Sequence, residues 1–198
     1  MADPAVFYYD LGSPYAYLAA ERLAQVLPEM PVWQPILLGG IWKETGGRSW
    51  AGTEAREEGM AEVERRATEY GLMPLRWPEG WPNNTLNAMR VAVWAQQIGR
   101  TVAFSQAAFR QAFAGGKDLS DMDYVLMAAA ACELHPNAVL KAIETQSVKD
   151  RLREVTQEAY ERGVPGVPTI AVGDELFWGD DRLEDAAVAL ARHRSKAP

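Results

Sequence analysis

The chain has 198 residues, enough for one domain or for one domain with a large insertion. Its formal net charge of −7 argues against a nucleic-acid-binding protein, because phosphate binding requires clustered Lys and Arg. We expect no secretory signal, because the start lacks a basic region followed by an apolar run, and no membrane span, because no apolar stretch is long enough. The one cysteine excludes an internal disulfide and fits a reducing compartment, so we expect a cytoplasmic protein.

The N-terminal segment predicts a βαβ unit. A strand is expected over residues 5–9, a helix over 13–27 and a second, parallel strand over 32–38. Ser13 followed by Pro14 is the favoured order for a helix start, with serine at the N-cap and proline at the first helical position. Pro35 lies inside the second strand and has no N–H to donate, which predicts a strand at the edge of the sheet.

The middle of the chain, from residue 39 to 163, has helical spacing interrupted by Gly, Pro and Asn clusters. The predicted helices cover residues 53–70, 85–98, 101–113, 122–134, 136–145 and 146–162.

Strand character returns at 169–172 and 175–178, where the intervening Gly173-Asp174 predicts a hairpin. Asp180 or Asp181 then caps a last helix over 182–193. The order is β-α-β, a helical insertion, then β-β-α. We therefore expect an α/β protein in which residues 1–38 and 164–198 form one domain and residues 39–163 form a helical insertion domain.

Ser13 is the first candidate for chemistry. As an N-cap, its hydroxyl lies beside unpaired backbone N–H groups and the positive end of a helix dipole, where an anion is stabilised. Strand, turn, X-Pro-X-X and helix form the thioredoxin-type arrangement. Because Ser13 and Ala16 occupy both positions of a Cys-Pro-X-Cys motif, dithiol chemistry is excluded there.

Pro168 is the second candidate. A proline at the start of a strand is common and needs no special role. In a thioredoxin-type sheet, however, X-Pro-Thr before the third strand is the cis-proline that faces the first helix. Such a turn leaves the N–H and C=O of Val167 to pair with an extended, peptide-like ligand.

Five segments in this order resemble the 2-hydroxychromene-2-carboxylate isomerases: residues 7–19, 35–46, 84–90, 163–169 and 176–183. Those enzymes belong with the kappa-class glutathione transferases in the DsbA-like branch of the thioredoxin superfamily. The resemblance covers nearly the whole chain. It implies a thioredoxin-like fold with a DsbA-like helical insertion, and a homodimer.

The resemblance also implies a role for each site residue. Ser13 would hydrogen-bond the sulfur of bound glutathione, or of another small thiol, and hold it as thiolate for addition to an unsaturated substrate. Lys43 would face the substrate carboxylate at the mouth of the site, although a surface lysine explains it equally well. Asp180 and Asp181 would bind the γ-glutamyl end of glutathione, although helix capping alone also explains their position.

Three positions depart from the family's pattern. Gly47 stands where the family commonly has an asparagine that contacts glutathione. Asp180 adds a second negative charge where Ser or Asn is usual. Arg56 is the stand-in for a lysine that reaches the tripeptide from the first insertion helix of kappa transferases.

The expected function is therefore a thiol-dependent isomerase acting on an unsaturated aromatic carboxylate. A kappa-like transferase that conjugates the thiol to an electrophile is the alternative, and a non-catalytic thioredoxin-fold binding module is a third possibility. The expected partners are a small thiol and an aromatic substrate, with no metal, nucleic acid or membrane. Cys132 lies in an apolar helix and is expected to be a core residue. Trp77, Trp81 and Trp94 are expected in the core, with one or two lining an aromatic pocket.

Overall fold

The computed structural model describes residues 4–196. Its sheet has four strands in the order β2-β1-β3-β4, namely β1 (Val6–Tyr9), β2 (Val32–Pro35), β3 (Thr169–Val172) and β4 (Glu175–Trp178). β1 and β2 pair in parallel, whereas β1 with β3 and β3 with β4 pair antiparallel. The predicted β-α-β … β-β-α order is confirmed, and the strand that contains Pro35 lies at the edge of the sheet.

Helix α1 (Pro14–Val26) connects β1 to β2, and helix α9 (Leu183–Lys196) follows β4. The chain between β2 and β3 is helical, as predicted: α2 (Leu38–Thr45), α3 (Arg56–Glu69), α4 (Leu86–Gln97), α5 (Thr101–Phe109), α6 (Met122–Ala130), α7 (Pro136–Glu144) and α8 (Gln146–Glu161). Short 3-10 turns cover Trp50–Gly52 and Asp180–Arg182, and a π turn covers Arg110–Ala114. None of the helices between residues 4 and 196 combines the length and apolarity needed to cross a bilayer.

Three of the predicted helices are four residues shorter than expected. The helix over 53–70 covers only Arg56–Glu69. The helix over 101–113 ends as an α-helix at Phe109 and continues as the π turn. The helix over 122–134 ends at Ala130, and Glu133 then adopts a φ of 63°. The outermost residues of the predicted domains, 1–3 and 197–198, lie outside the described part of the chain.

The core joins the sheet to the helical insertion. Phe7, Tyr9 and Trp33 are buried on β1 and β2, with the Trp33 ring 5.0 Å from Phe7 and 5.4 Å from Tyr9 between centroids. The Tyr9 hydroxyl shares hydrogen bonds with Ser105 (2.6 Å) and Thr101 (3.1 Å) on α5. Burial raises the pKa of Tyr9 to about 12, so the hydroxyl keeps its proton and its hydrogen bonds at neutral pH.

Helix α2 differs from the sequence expectation. The second strand was predicted to reach residue 38, but it ends at Pro35 and α2 begins at Leu38. The Leu38 N–H donates 2.9 Å to a carboxylate oxygen of Asp10, and the Leu37 N–H donates 3.0 Å to the Thr156 hydroxyl. The start of α2 is therefore satisfied by residues distant in sequence rather than by a local cap.

Asp10 also fixes the turn before α1. Its other carboxylate oxygen accepts from the Gly12 N–H at 2.9 Å and from the Thr85 hydroxyl at 3.2 Å. Its carbonyl oxygen accepts from the Ser13 N–H at 3.0 Å. Asp10 thereby connects the start of α1, the start of α2 and the residue preceding α4. The candidate site lies where these three helix starts meet.

Candidate functional site

A cavity of about 930 Å³ opens between the edge of the sheet with the start of α1 and the helical segment that connects β2 to β3. Its lining comes from the turn and start of α1 (residues 10–15), α2 with its flanking residues (37–50), Arg66 on α3, residues 81–86, the loop before β3 (165–168) and the end of β4 with the turn after it (178–181). The volume lies at the upper end of the range for small-molecule sites.

Ser13 lies at the N-cap of α1 and is 6 % exposed. Its Oγ accepts a 3.2 Å hydrogen bond from the Ala16 N–H. Within residues 4–196 the hydroxyl proton has no acceptor, and the Tyr15 N–H has no partner. Because Ser13 and Tyr15 both line the cavity, the positive end of α1 offers it two free hydrogen-bond donors.

The loop before β3 brings Val167 and Pro168 to the same cavity. Their peptide bond is cis, and the Pro168 carbonyl accepts a 2.9 Å hydrogen bond from the Gly179 N–H. The backbone N–H and C=O of Val167 have no protein partner in the described structure. These two groups are arranged as on an unpaired strand, so they can pair with the backbone of an extended ligand.

Asp180 is at the cavity wall but is only 1 % exposed. One carboxylate oxygen accepts 2.9 Å from Arg66 Nη1 and the other accepts 2.9 Å from the Tyr70 hydroxyl. Burial raises the pKa of the Asp180 carboxyl, and the charge of Arg66 opposes that rise. Both oxygens are bonded within the protein and hold Arg66 in the wall, and direct contact of this carboxylate with a ligand stays a prediction.

Asp181 lies at the rim of the cavity, with 56 % of its side chain exposed and one oxygen 3.7 Å from Arg66 Nη1. Unlike Asp180, it is open to an incoming group. A role for Asp181 in binding the amine of a ligand stays a prediction.

Arg56, which was predicted to reach the ligand, does not line the cavity. Its guanidinium donates a 3.1 Å hydrogen bond to the Ala51 carbonyl and a second one to the Trp81 carbonyl. These bonds hold the side chain against the cavity wall, and a role for Arg56 in binding the ligand stays a prediction. Arg66, further along α3, lines the cavity instead. Sequence reasoning missed it because its only local signal, an i,i+4 pair with Glu62, is common on exposed helices.

Lys43 is exposed on the last turn of α2 and is likewise absent from the cavity lining. Arg48, in the loop that follows α2, does line it. A role for Lys43 at the mouth of the site stays a prediction.

Aromatic side chains form one wall of the cavity. Trp50 and Trp81 have ring centroids 5.3 Å apart, and Tyr15 is 6.4 Å from Trp50. The Trp81 indole N–H donates 3.2 Å to the Gly12 carbonyl, which joins this wall to the start of α1. Trp81 therefore fulfils the expectation that a tryptophan lines the pocket.

Gly47 explains the position of another aromatic ring. A Cβ on this residue would lie 2.2 Å from Cδ1 of Trp42, closer than atoms can approach. The Trp42 ring, which lines the cavity, packs against the bare backbone of Gly47. The missing side chain at this position thus leaves room for an indole.

Cys132 lies outside this site. It is buried, and its thiol faces the carbonyls of Ala128 and Ala129. Burial raises its pKa, which disfavours the reactive thiolate and fits the expected core role.

The chain is similar in sequence to known proteins. A family model, the DSBA-like thioredoxin domain, matches residues 5–191. A 2-hydroxychromene-2-carboxylate isomerase of Sphingobium xenophagum is 28 % identical, covering 90 % of this chain and 93 % of that protein. Glutathione S-transferase kappa 1 of Rattus norvegicus is 26 % identical, covering 92 % and 88 %.

Solved structures show the same fold. The structure of a 2-hydroxychromene-2-carboxylate isomerase superposes with a TM-score of 0.85 at 25 % identity, covering 96 % of this chain and 97 % of that one. A probable DsbA oxidoreductase from Streptomyces coelicolor superposes with a TM-score of 0.77 at 19 % identity, covering 98 % and 91 %. Because the family model spans nearly its whole length, the chain belongs to the DsbA-like thioredoxin family.

Proposed function

We propose that this protein is an enzyme that uses glutathione, or another small thiol, to isomerise an unsaturated aromatic carboxylate such as 2-hydroxychromene-2-carboxylate. The relatives named as isomerases support the reaction class, and those named as glutathione transferases support the use of a thiol.

One observation carries the proposal. The start of α1 offers the cavity two free hydrogen-bond donors, the Ser13 hydroxyl and the Tyr15 N–H. Among the described residues that line the cavity there is no cysteine. A helix N-terminus stabilises an anion by about 1–2 kcal/mol in a partly buried site, which lowers a thiol pKa of about 8.5 by roughly one unit. A hydrogen bond from the Ser13 hydroxyl adds to this. The site is built to hold an anionic sulfur that the chain does not itself supply.

The residues around the cavity fit a thiol-containing peptide. Ser13 and Tyr15 would donate to the sulfur, and the free backbone groups of Val167 would pair with the peptide on one edge. Asp181 at the rim would accept from its amine. When bound, the thiol supplies the nucleophile for covalent catalysis. The tryptophan wall would hold an aromatic ring beside it and exclude water.

A kappa-like transferase is the second candidate, favoured by the relatives that carry that name. The same site would serve both activities, since each needs a stabilised thiolate next to an electrophile. They differ in the fate of the thiol. An isomerase regenerates it in every cycle, whereas a transferase consumes one molecule per turnover.

The test is to incubate the protein with glutathione and 2-hydroxychromene-2-carboxylate and to follow both the isomer ratio and the free thiol. We expect conversion that depends on the thiol while its concentration stays constant. Loss of one thiol per conversion would favour the transferase. Absence of any conversion, together with absence of glutathione binding in calorimetry, would favour a binding module and contradict the proposal.

The Ser13→Gly variant examines the assigned hydroxyl. Glycine is a tolerated N-cap, so stability should change little, while kcat/KM should fall by about tenfold or more. Asp121→Ala is the matched control, because it removes the N-cap of α6, outside the cavity lining, and should leave the rate unchanged. An undiminished rate in Ser13→Gly would remove Ser13 from the mechanism.

A further inference from the structure

We propose that Arg48 binds the carboxylate of the aromatic substrate and thereby makes the site select acids over neutral analogues. The inference rests on the proposed function for the substrate class, and it assigns to Arg48 the role that the sequence suggested for Lys43.

The charges that line the cavity point to this residue. Among its described lining residues, two are cations, Arg48 and Arg66, and three are carboxylates, Asp10, Asp180 and Asp181. Arg66 is already committed: its guanidinium lies 2.5 Å from Glu62, 2.9 Å from Asp180 and 3.7 Å from Asp181. Its positive charge is therefore balanced within the protein and is not available to a ligand.

Arg48 is in the opposite situation. It is exposed, and it takes part in none of the ion pairs or side-chain hydrogen bonds of residues 4–196. With the carboxylates in the majority, a cavity without Arg48 would repel an organic acid. Arg48 is the lining cation whose charge is free to attract one, and its planar guanidinium suits a two-point contact with a carboxylate.

The backbone presents Arg48 from a fixed position. The loop leaves α2 at Gly46, whose N–H donates 2.8 Å to the Trp42 carbonyl and whose φ of 74° favours glycine. The loop re-enters regular structure at Ser49, whose Oγ accepts 3.1 Å from the Ala51 N–H. Both ends of the short segment that carries Arg48 are thus held.

In the sequence, this segment is flanked by two residues whose rings line the cavity. Gly47, immediately before Arg48, packs against Trp42, and Trp50 lies two positions after Arg48. Trp42, Arg48 and Trp50 all line the cavity. An aromatic acid is complementary to this arrangement, because it has a flat apolar ring to lie against the tryptophans and, a few bonds away, a carboxylate to pair with Arg48.

A carboxylate at this position could come from the aromatic substrate or from the glycyl end of a bound glutathione. The tryptophans on either side of the loop favour the aromatic acid, because the glycyl end has no ring to place against them. The experiment separates the two sources.

Calorimetric titration with cinnamate and with its neutral amide, both without any thiol, tests the proposal directly. The unaltered protein should bind cinnamate more tightly than cinnamamide. Arg48→Ala should weaken cinnamate binding about fivefold, the scale of an exposed ion pair, and leave cinnamamide binding unchanged. Arg48→Lys should keep part of the affinity, because it retains the charge but loses the two-point contact.

Arg65→Ala is the matched control. Arg65 is an exposed arginine on α3 that pairs with Glu69 and does not line the cavity, so its removal changes the net charge equally and should leave both affinities unchanged. The expected loss in Arg48→Ala should also shrink at high salt, because exposed charges are screened.

The proposal is overturned if the unaltered protein does not bind cinnamate, or if Arg48→Ala binds it with equal affinity. It is also overturned if Lys43→Ala loses cinnamate affinity while Arg48→Ala does not. A loss of glutathione affinity in Arg48→Ala without a loss of cinnamate affinity would assign the residue to the thiol and likewise overturn the proposal. Failure of the proposed function is distinguishable, since it would abolish thiol-dependent turnover while the preference for cinnamate over cinnamamide persists.

Discussion

Arg66 and Asp180 form a 2.9 Å ion pair between residues 114 positions apart in the chain. The pair joins α3 of the insertion to the turn after β4, and the Tyr70 hydroxyl binds the second carboxylate oxygen. Arg22 on α1 supports the same turn with a 2.9 Å hydrogen bond to the Asp180 carbonyl, and its guanidinium stacks 3.7 Å from the centre of the Tyr70 ring. This network fixes α3, which contributes to one wall of the cavity, to α1 and to the turn after β4.

The Arg66→Ala variant should be destabilised in a pH-dependent way. Without Arg66 the buried Asp180 carboxylate loses its cation, so its pKa, already raised by burial, should rise further. A folded-state pKa above the unfolded value means that stability is present at low pH and lost as pH rises through the folded pKa. We expect a loss of about 2 kcal/mol in the free energy of unfolding near neutral pH and a clearly smaller loss near pH 4.

Urea unfolding at the two pH values measures this difference. Arg65→Ala, one residue earlier on α3, removes only an exposed i,i+4 pair and should cost less than about 0.5 kcal/mol at either pH. If Arg66→Ala loses the same free energy of unfolding at both pH values, the ionisation of Asp180 does not depend on Arg66.

The Asp10→Asn variant should weaken the start of α2. An amide has a single acceptor oxygen, so either the Leu38 N–H or the pair formed by the Gly12 N–H and the Thr85 hydroxyl would face an NH₂ group. Leaving a buried donor unpaired costs about 1–3 kcal/mol. Unfolding measurements give the total loss, and hydrogen exchange at the first amides of α2 should localise it.

Asp121→Asn is the matched control for that variant. Asp121 caps α6 in an exposed position, where asparagine is an equally good N-cap, so stability should be unchanged. If Asp10→Asn and Asp121→Asn have the same free energy of unfolding, Asp10 does not stabilise the start of α2.

Gly47→Ala should disturb the aromatic wall. The new methyl group would overlap the Trp42 ring, with 2.2 Å to Cδ1, so the indole must move. We expect a change in tryptophan fluorescence, weaker binding of cinnamate and a stability loss of about 1–3 kcal/mol, the usual cost of overpacking.

Gly39→Ala separates this effect from a general intolerance to alanine. A methyl group at Gly39, inside α2, meets nothing within 4 Å and should improve stability by up to about 1 kcal/mol through helix propensity. If Gly47→Ala matches the unaltered protein in fluorescence and stability, the ring does not depend on the bare backbone.

The features that sequence reasoning found are those encoded locally. Ser13 and Pro14 specify the start of α1 through groups within the first turn. The edge position of β2 follows from the missing N–H of Pro35, and Gly173 specifies the hairpin between β3 and β4 through its φ of 56°. In each case the determining atoms lie within a few residues of the element they define.

The features that were missed depend on contacts between distant residues. Gly39 and Gly40 give α2 low intrinsic helix propensity, and its first N–H groups are satisfied by Asp10 and Thr156. That Arg66 rather than Arg56 lines the cavity depends on which face of α3 packs toward the turn after β4. Neither contact pattern follows from the spacing of residues along a single sequence, because the partners are far apart in the chain.

The proposed stabilisation of a bound thiolate by Ser13 and the start of α1 can be measured by titrating glutathione bound to the protein and following the ultraviolet absorbance of the thiolate. We expect a pKa more than about one unit below the ordinary value of about 8.5, with the hydroxyl's share of the shift lost in Ser13→Gly and the share from the helix N-terminus kept. If the bound thiol titrates at its ordinary pKa in both proteins, Ser13 and the start of α1 do not stabilise the thiolate.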